Sequence, residues 1–250
     1  MKRWKKIVLG IVIALAIGIG GICIWQWNNI QTLFMALSQD PQEIANNVED
    51  KRQEHQDAIE ERVPVTIKPP TTEQSDQLLD QQATPDEIKD ALGITDLLNK
   101  DKQHQQQQQE QPPSQDGASQ PPDLSEPPPS KPPDPTEADL VNLCLAEMYA
   151  CKIDLMGVLA QMKREAVAEW NSLPDSEHTQ TRKMEIGLSG LAKCYELEGK
   201  VNDQVREILT RYRGRLSAVN GDLSIIDDLW QYYEEEKAAE KAYYLDKYMT

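Results

Sequence analysis

The residues able to do chemistry in this chain are few and scattered. Four cysteines stand at positions 23, 144, 151 and 194, and three histidines at 55, 104 and 178. Zinc sites gather such ligands at close spacing, and neither CxxC nor HxxxH occurs, so no metal or cofactor is expected. Cys144 and Cys151 lie on one helix face but about 10.5 Å apart along the axis, too far to bond each other. In a helical hairpin folded around Pro174, residue i faces about 348 − i, which sets Cys151 one turn from Cys194. Two readings stay open. A Cys151–Cys194 disulfide would close a loop of about 44 residues and contribute on the order of 4 kcal/mol. Alternatively both are buried free thiols in a helical seam. Cys144 is left over in either case.

Arg206, Arg211, Arg213 and Arg215 form a basic patch that could hold a phosphate or an anionic wall polymer. Folding at Gly221 would set them against Asp227, Asp228 and Glu234 to Glu236, so pairing within the chain is the expectation. Beyond them come Tyr232, Tyr233, Tyr243, Tyr244 and Tyr248, with Trp230. Such a strip could stack on sugar rings, but most members share the stripe expected to be buried. Tyr232 and Tyr243 fall off that stripe and join Arg206, Arg211 and Arg213 as candidate surface-binding residues. No nucleophile motif, phosphate loop or metal box is present. The carboxylates lie along helix faces, where charge runs are solvated, and a slim bundle offers little concavity. A non-enzymatic protein is expected.

The elements that position these residues occupy 136–250. Thr136 caps a helix whose apolar residues Leu140, Cys144, Met148, Cys151, Leu155, Val158, Met162 and Ala166 recur at three- and four-residue steps. Pro174 breaks it. A second helix from about 176 to 219 carries Met184, Leu188, Leu191, Cys194, Leu197, Val201, Val205, Ile208, Tyr212 and Leu216, and Asn220-Gly221 stops it. A third runs from about 224 to the last residues, with Ile226, Leu229, Trp230, Tyr233 and Tyr244. Short connections make neighbours antiparallel. The fold class is all-α: an elongated antiparallel three-helix bundle, with a two-helix hairpin at its far end.

The preceding residues set location. Ile7 to Trp25 is an uncharged apolar run led in by Lys2, Arg3, Lys5 and Lys6. About 20 apolar residues cross a hydrocarbon core. The basic stub, residues 1–6, stays cytoplasmic and the rest lies outside. Trp4, Trp25 and Trp27 suit the two interfacial belts. The run exceeds a cleaved signal's apolar core, so Ile7–Trp27 reads as a retained signal anchor contacting the bilayer. Gly10, Ala14 and Gly18 share one face and could pair two anchors into a homodimer.

Next comes a sparse, charged juxtamembrane helix (28–62), expected to be exposed. Residues 63–98 read as a tether, extended at Pro64, Pro69 and Pro70, with one short helix starting at Thr84-Pro-Asp-Glu87. One and a half turns will not stand alone, so that helix is expected to be transient. Residues 99–135 are Gln- and Pro-rich and read as a disordered spacer. The net charge of −16 divides as +4 over 1–37, −13 over 38–135 and −7 over 136–250. Such acidity repels nucleic acid and anionic lipid, which excludes nucleic acid as a partner and favours a solubility role.

Four stretches carry a resemblance: Leu145-Ala-Glu-Met-Tyr-Ala-Cys-Lys152, Glu169-Trp-Asn-Ser-Leu-Pro174, Leu191-Ala-Lys-Cys-Tyr195 and Glu240-Lys-Ala-Tyr-Tyr-Leu-Asp-Lys-Tyr248. They resemble a group of uncharacterised bacterial single-pass membrane proteins with an N-terminal anchor, a Pro-rich middle and a helical C-terminal part. The resemblance implies that architecture and no activity. The expectation is an envelope protein anchored in the cell membrane, acting outside as a scaffold, spacer or docking module for a protein partner. The alternatives are a helical-hairpin adaptor of an export machine or a wall-polymer-binding module.

Overall fold

The computed structural model describes residues 41–109 and 134–249, and every regular element among them is helical. Over these residues the chain is all-α. The expected span Ile7–Trp27, its Gly10, Ala14 and Gly18 face, and residues 110–133 of the expected spacer lie outside them. Among the described residues no helix is long and apolar enough to cross a membrane.

Two compact units divide the chain, one ending at His55 and resuming at Gln231, the other spanning Gln56–Trp230. The helices are α1 (Pro41–Glu60), α2 (Thr72–Leu79), α3 (Pro85–Ala91), α4 (Ile94–Gln109), α5 (Glu137–Ser172), α6 (Gln180–Ala218) and α7 (Ser224–Met249).

The larger unit is organised around α5. Thr136 caps it: its hydroxyl accepts from the Asp139 backbone N–H, and the Asp139 carboxylate accepts from Thr136 N at 2.9 Å. These bonds from Thr136 hold the Asp139 carboxyl below its ordinary pKa. From Leu140 to Tyr149 only Glu147 escapes full burial. A helix facing one partner buries a stripe, so burial of consecutive residues requires neighbours all round. Those neighbours are α2, α3, α4 and α6.

This corrects the tether expected from the sequence. Thr71 and Thr84 both build full capping boxes, and α2 and α3 bury Leu78, Leu79 and Ile88. Alone they would be too short to persist. Docking on α5 supplies what their length does not. Gly157 permits the close approach, since a Cβ there would stand 2.7 Å from the Pro85 ring. Lys89 adds an ion pair to Asp154 at 2.8 Å. Gly93, at φ +71, takes the left-handed turn that ends α3. Helix α4 then runs to Gln109, taking in the first eleven residues of the stretch expected to be disordered. Its Asp101 is gripped by Arg215 at 2.7 and 3.0 Å, which ties it to α6.

Helices α5 and α6 form the expected hairpin. Pro174 forbids further helix, and a 3-10 turn (Asp175–Glu177) leads to Thr179, which caps α6. Partners run antiparallel: Glu147 meets Arg211 and Tyr212, Cys151 meets Gln204, and Glu169 meets Arg182. Asn220, at φ 55, ends α6 in a left-handed cap, and the next amide, Gly221 N–H, donates to Leu216 O at 2.9 Å. The buried stripe of α6 is Val201, Val205, Leu209, Tyr212 and Leu216, with Leu209 in the place expected for Ile208.

Candidate functional site

Three polar clusters bring together side chains with chemical potential. The first is a clamp. Asn142, 6% exposed on α5, accepts through Oδ1 from Thr66 N (2.7 Å), Thr66 Oγ1 (3.0 Å) and Ile67 N (3.2 Å). Its Nδ2 donates to Pro64 O at 2.9 Å and Ala138 O at 2.8 Å. A single amide thereby satisfies a proline-kinked strand of backbone that has no ladder of its own.

The second cluster surrounds Cys144. Glu147 accepts from Tyr212 Oη at 2.8 Å and from Arg211. Arg215 lies 4.9 Å over the Tyr212 ring and grips Asp101. Burial, then the Glu147 charge, push the Tyr212 hydroxyl above its ordinary pKa. The same two causes raise the Cys144 thiol, which stays protonated and unreactive.

The third lies in the smaller unit. Arg52 is 2% exposed on α1 and bonds Glu236 at 2.6 Å, Glu49 at 2.7 Å and Glu240. Burial opposes its charge, and Glu240 with Glu236 more than offset that, so its pKa stands above the ordinary value. Beside it His55 Nε2 meets Glu235 at 3.0 Å, and its ring packs on Tyr232 at 5.2 Å. The helix expected to be charged and exposed thus buries its central cation against α7.

These placements revise the candidate residues. Tyr232 is 3% exposed, because α7 buries Ile225, Tyr232 and Glu236 beside the expected Ile226 and Leu229, and from Tyr232 on its buried face is one position off the expected stripe. It is a core residue rather than a surface binder. Tyr243 is half-buried, edge-on to Tyr244 at 4.9 Å, with Lys247 over its ring. The arginine patch is paired within the chain. Arg206 meets Asp203 at 3.3 Å and lies over Trp230. Arg213 meets Asp227 as expected, but Arg211 and Arg215 turn to Glu147 and Asp101. Asp228 and Asp222 are taken by Arg62, and bonds from Arg62 and Ser224 lower the Asp222 carboxyl to about 2.

Cys144, Cys151 and Cys194 are free thiols. Of the two readings left open for Cys151 and Cys194, the structure has the free thiols, and the hairpin register gives the reason. Cys151 Sγ donates to Gln204 Oε1 at 3.4 Å, ten residues beyond Cys194, or about 15 Å of helix rise. The 3-10 turn lengthens the bend and shifts the pairing away from that counted from Pro174. Burial and then Asp154 push Cys151 up to about 11, and burial raises Cys194.

A recess of about 520 Å³, lined by Leu79, Gln81, Lys163, Arg164 and Val167, opens where α2 meets α5. No group of three or more metal-ligating side chains occurs among the described residues. Sequence reasoning missed Arg52 and Asn142. Asn142 carried a signal, as it and Glu147 are the two hydrogen-bonding polar side chains other than Tyr149 between Leu140 and Tyr149. Arg52 carried none, since nothing local separates it from the charged residues around it. No protein-family model, curated protein or solved structure matches the chain.

Proposed function

We propose that this chain is a membrane-anchored structural protein, fixed by one helix over Ile7–Trp27 with its basic stub in the cytoplasm, that presents a non-enzymatic helical scaffold outside the membrane for a protein partner. The observation that carries the reading is the uncharged run Ile7–Trp25 behind Lys2, Arg3, Lys5 and Lys6. The chemistry of the helical part supports scaffold duty. Arg52, Arg211 and Arg215 are committed to Glu236, Glu147 and Asp101, which stiffens the fold.

A hairpin adaptor of an export machine is the second reading. The α5–α6 hairpin favours it, because among the described residues Leu188 and Leu191 on its outer half stay exposed.

Protease added to intact cells tests the location. Loss of residues beyond the anchor, with the full-length chain resisting alkaline extraction from membranes, is the expected result. A mature chain that starts after Trp27 and leaves the membrane fraction would overturn it.

A further inference from the structure

The turn between α6 and α7 holds a chemical weak point. Of the nine asparagines in the chain, Asn220 is the one followed by glycine. An asparagine loses its side-chain amide when the next residue's backbone nitrogen attacks Cγ, and glycine leaves that nitrogen least hindered. The fold asks for glycine here for a separate reason. A Cβ at 221 would stand 3.1 Å from Leu216 Cδ2 and 3.3 Å from Glu137 Oε1, tighter than ordinary contact. Asn220 itself is exposed, with the left-handed φ of 55° that asparagine tolerates.

The same turn disarms the pair. Gly221 N–H, the source of the nucleophile, donates to Leu216 O at 2.9 Å, and Asn220 N–H donates to Ser217 O at 3.2 Å. These are the two bonds of a Schellman cap. Glu137, at the start of α5, braces the turn by accepting from Asp222 N at 2.6 Å. Ring closure requires the peptide after Asn220 to rotate out of the left-handed well and Gly221 N to give up its bond. We propose that Asn220 is a deamidation site gated by this cap, shut while the cap is made and reactive when the turn frays. A base takes the Gly221 amide proton, and the nitrogen bonds to Asn220 Cγ. The Cγ–Nδ2 bond breaks, and ammonia leaves with a proton from water. Water then opens the succinimide to aspartate or isoaspartate. Isoaspartate puts an extra methylene in the main chain, which spoils the spacing of the cap bonds. Either product adds a negative charge to a turn that already holds Glu137 and Asp222. Reclosure is opposed, so the modification marks, in one direction, each chain whose turn has opened.

The proposal goes beyond anchoring and does not depend on it. Its test is peptide mapping of the full-length chain at pH 8, with the fraction deamidated at position 220 followed in time. The folded chain should react at least about tenfold more slowly than the chain in guanidinium chloride, as a cap open less than about a tenth of the time requires. Glu137→Ala removes the brace and should raise the folded rate at least about threefold, whereas Glu137→Gln keeps an acceptor and should not. Circular dichroism of both variants should match that of the parent chain. Equal rates in the folded and unfolded chains would overturn the proposal, as would no deamidation at 220 in the unfolded one. So would a folded rate indifferent to Glu137→Ala, or one raised equally by Glu137→Gln.

Discussion

The two halves of α5 belong to one continuous helix and live in different surroundings. Around Leu140–Tyr149 the helix is enclosed, and Asn142 and Glu147 are the fastening points for the elements that enclose it. Past Ala160, its last buried residue, it keeps only α6 and the end of α2 beside it, where Lys163 meets Asp80 at 2.8 Å, and Val167 is 52% exposed. The difference teaches that length of helix is not extent of core. Enclosure follows where both faces of the helix are apolar. Exposure follows where only one face is, and there a single hairpin partner suffices.

Substitutions along the helix can break or sharpen this contrast. The largest effect is expected at Leu145, 1% exposed. Leu145→Ala should cost about 2–5 kcal/mol in a denaturant titration, from lost burial and the cavity left behind. Asn142→Ala comes next. It strands Thr66 N and Ile67 N, each costing about 1–3 kcal/mol when desolvated without a partner. Hydrogen exchange should then rise at residues 64–67 before it rises in α6. Equal rises in both would mean that the clamp is not local. Tyr212→Phe removes one bond to Glu147 and should cost about 1 kcal/mol by the same titration.

The cysteines grade the contrast without any substitution. Cys151, raised from 9.0 to about 11, should react with iodoacetamide at pH 8 about a hundredfold more slowly than an unperturbed thiol. Cys144, 0% exposed, should be silent until the fold opens. Because burial raises these thiols, the stability they contribute is complete below their unfolded pKa near 9. It is lost as pH rises through the folded values. Alkaline unfolding that begins between pH 9 and 11 is expected, with the enclosed half opening last. The smallest effect belongs to the outer half. Leu188→Ala, at a residue 62% exposed, should change monomer stability by no more than about 0.5 kcal/mol.

Much of the helical pattern was legible. Thr84 announced its capping box, Thr136 its cap, Pro174 the hairpin bend, and Asn220-Gly221 the end of α6. These signals are local, acting through a cap's own hydrogen bonds or a proline's missing N–H. The docking of α2 to α4 was not legible as such. Its trace was Val141, Leu143 and Leu145, apolar residues off the main stripe of α5 that ask for a second partner without naming it. Tyr232 was misread because a one-residue turn of the stripe, about 100° of helix, exchanges core for surface.

By itself, the sequence determined the helical periods, their caps and breaks, the charge along the chain and the apolar run near its start. Each depends on neighbours a few residues away. Only the tertiary structure decided which apolar face meets which helix, that Arg52 is buried among Glu49, Glu236 and Glu240, and that Cys151 lies beside Gln204. Those outcomes join residues 53 to 188 positions apart, where competing partners differ by small free energies and packing makes the choice.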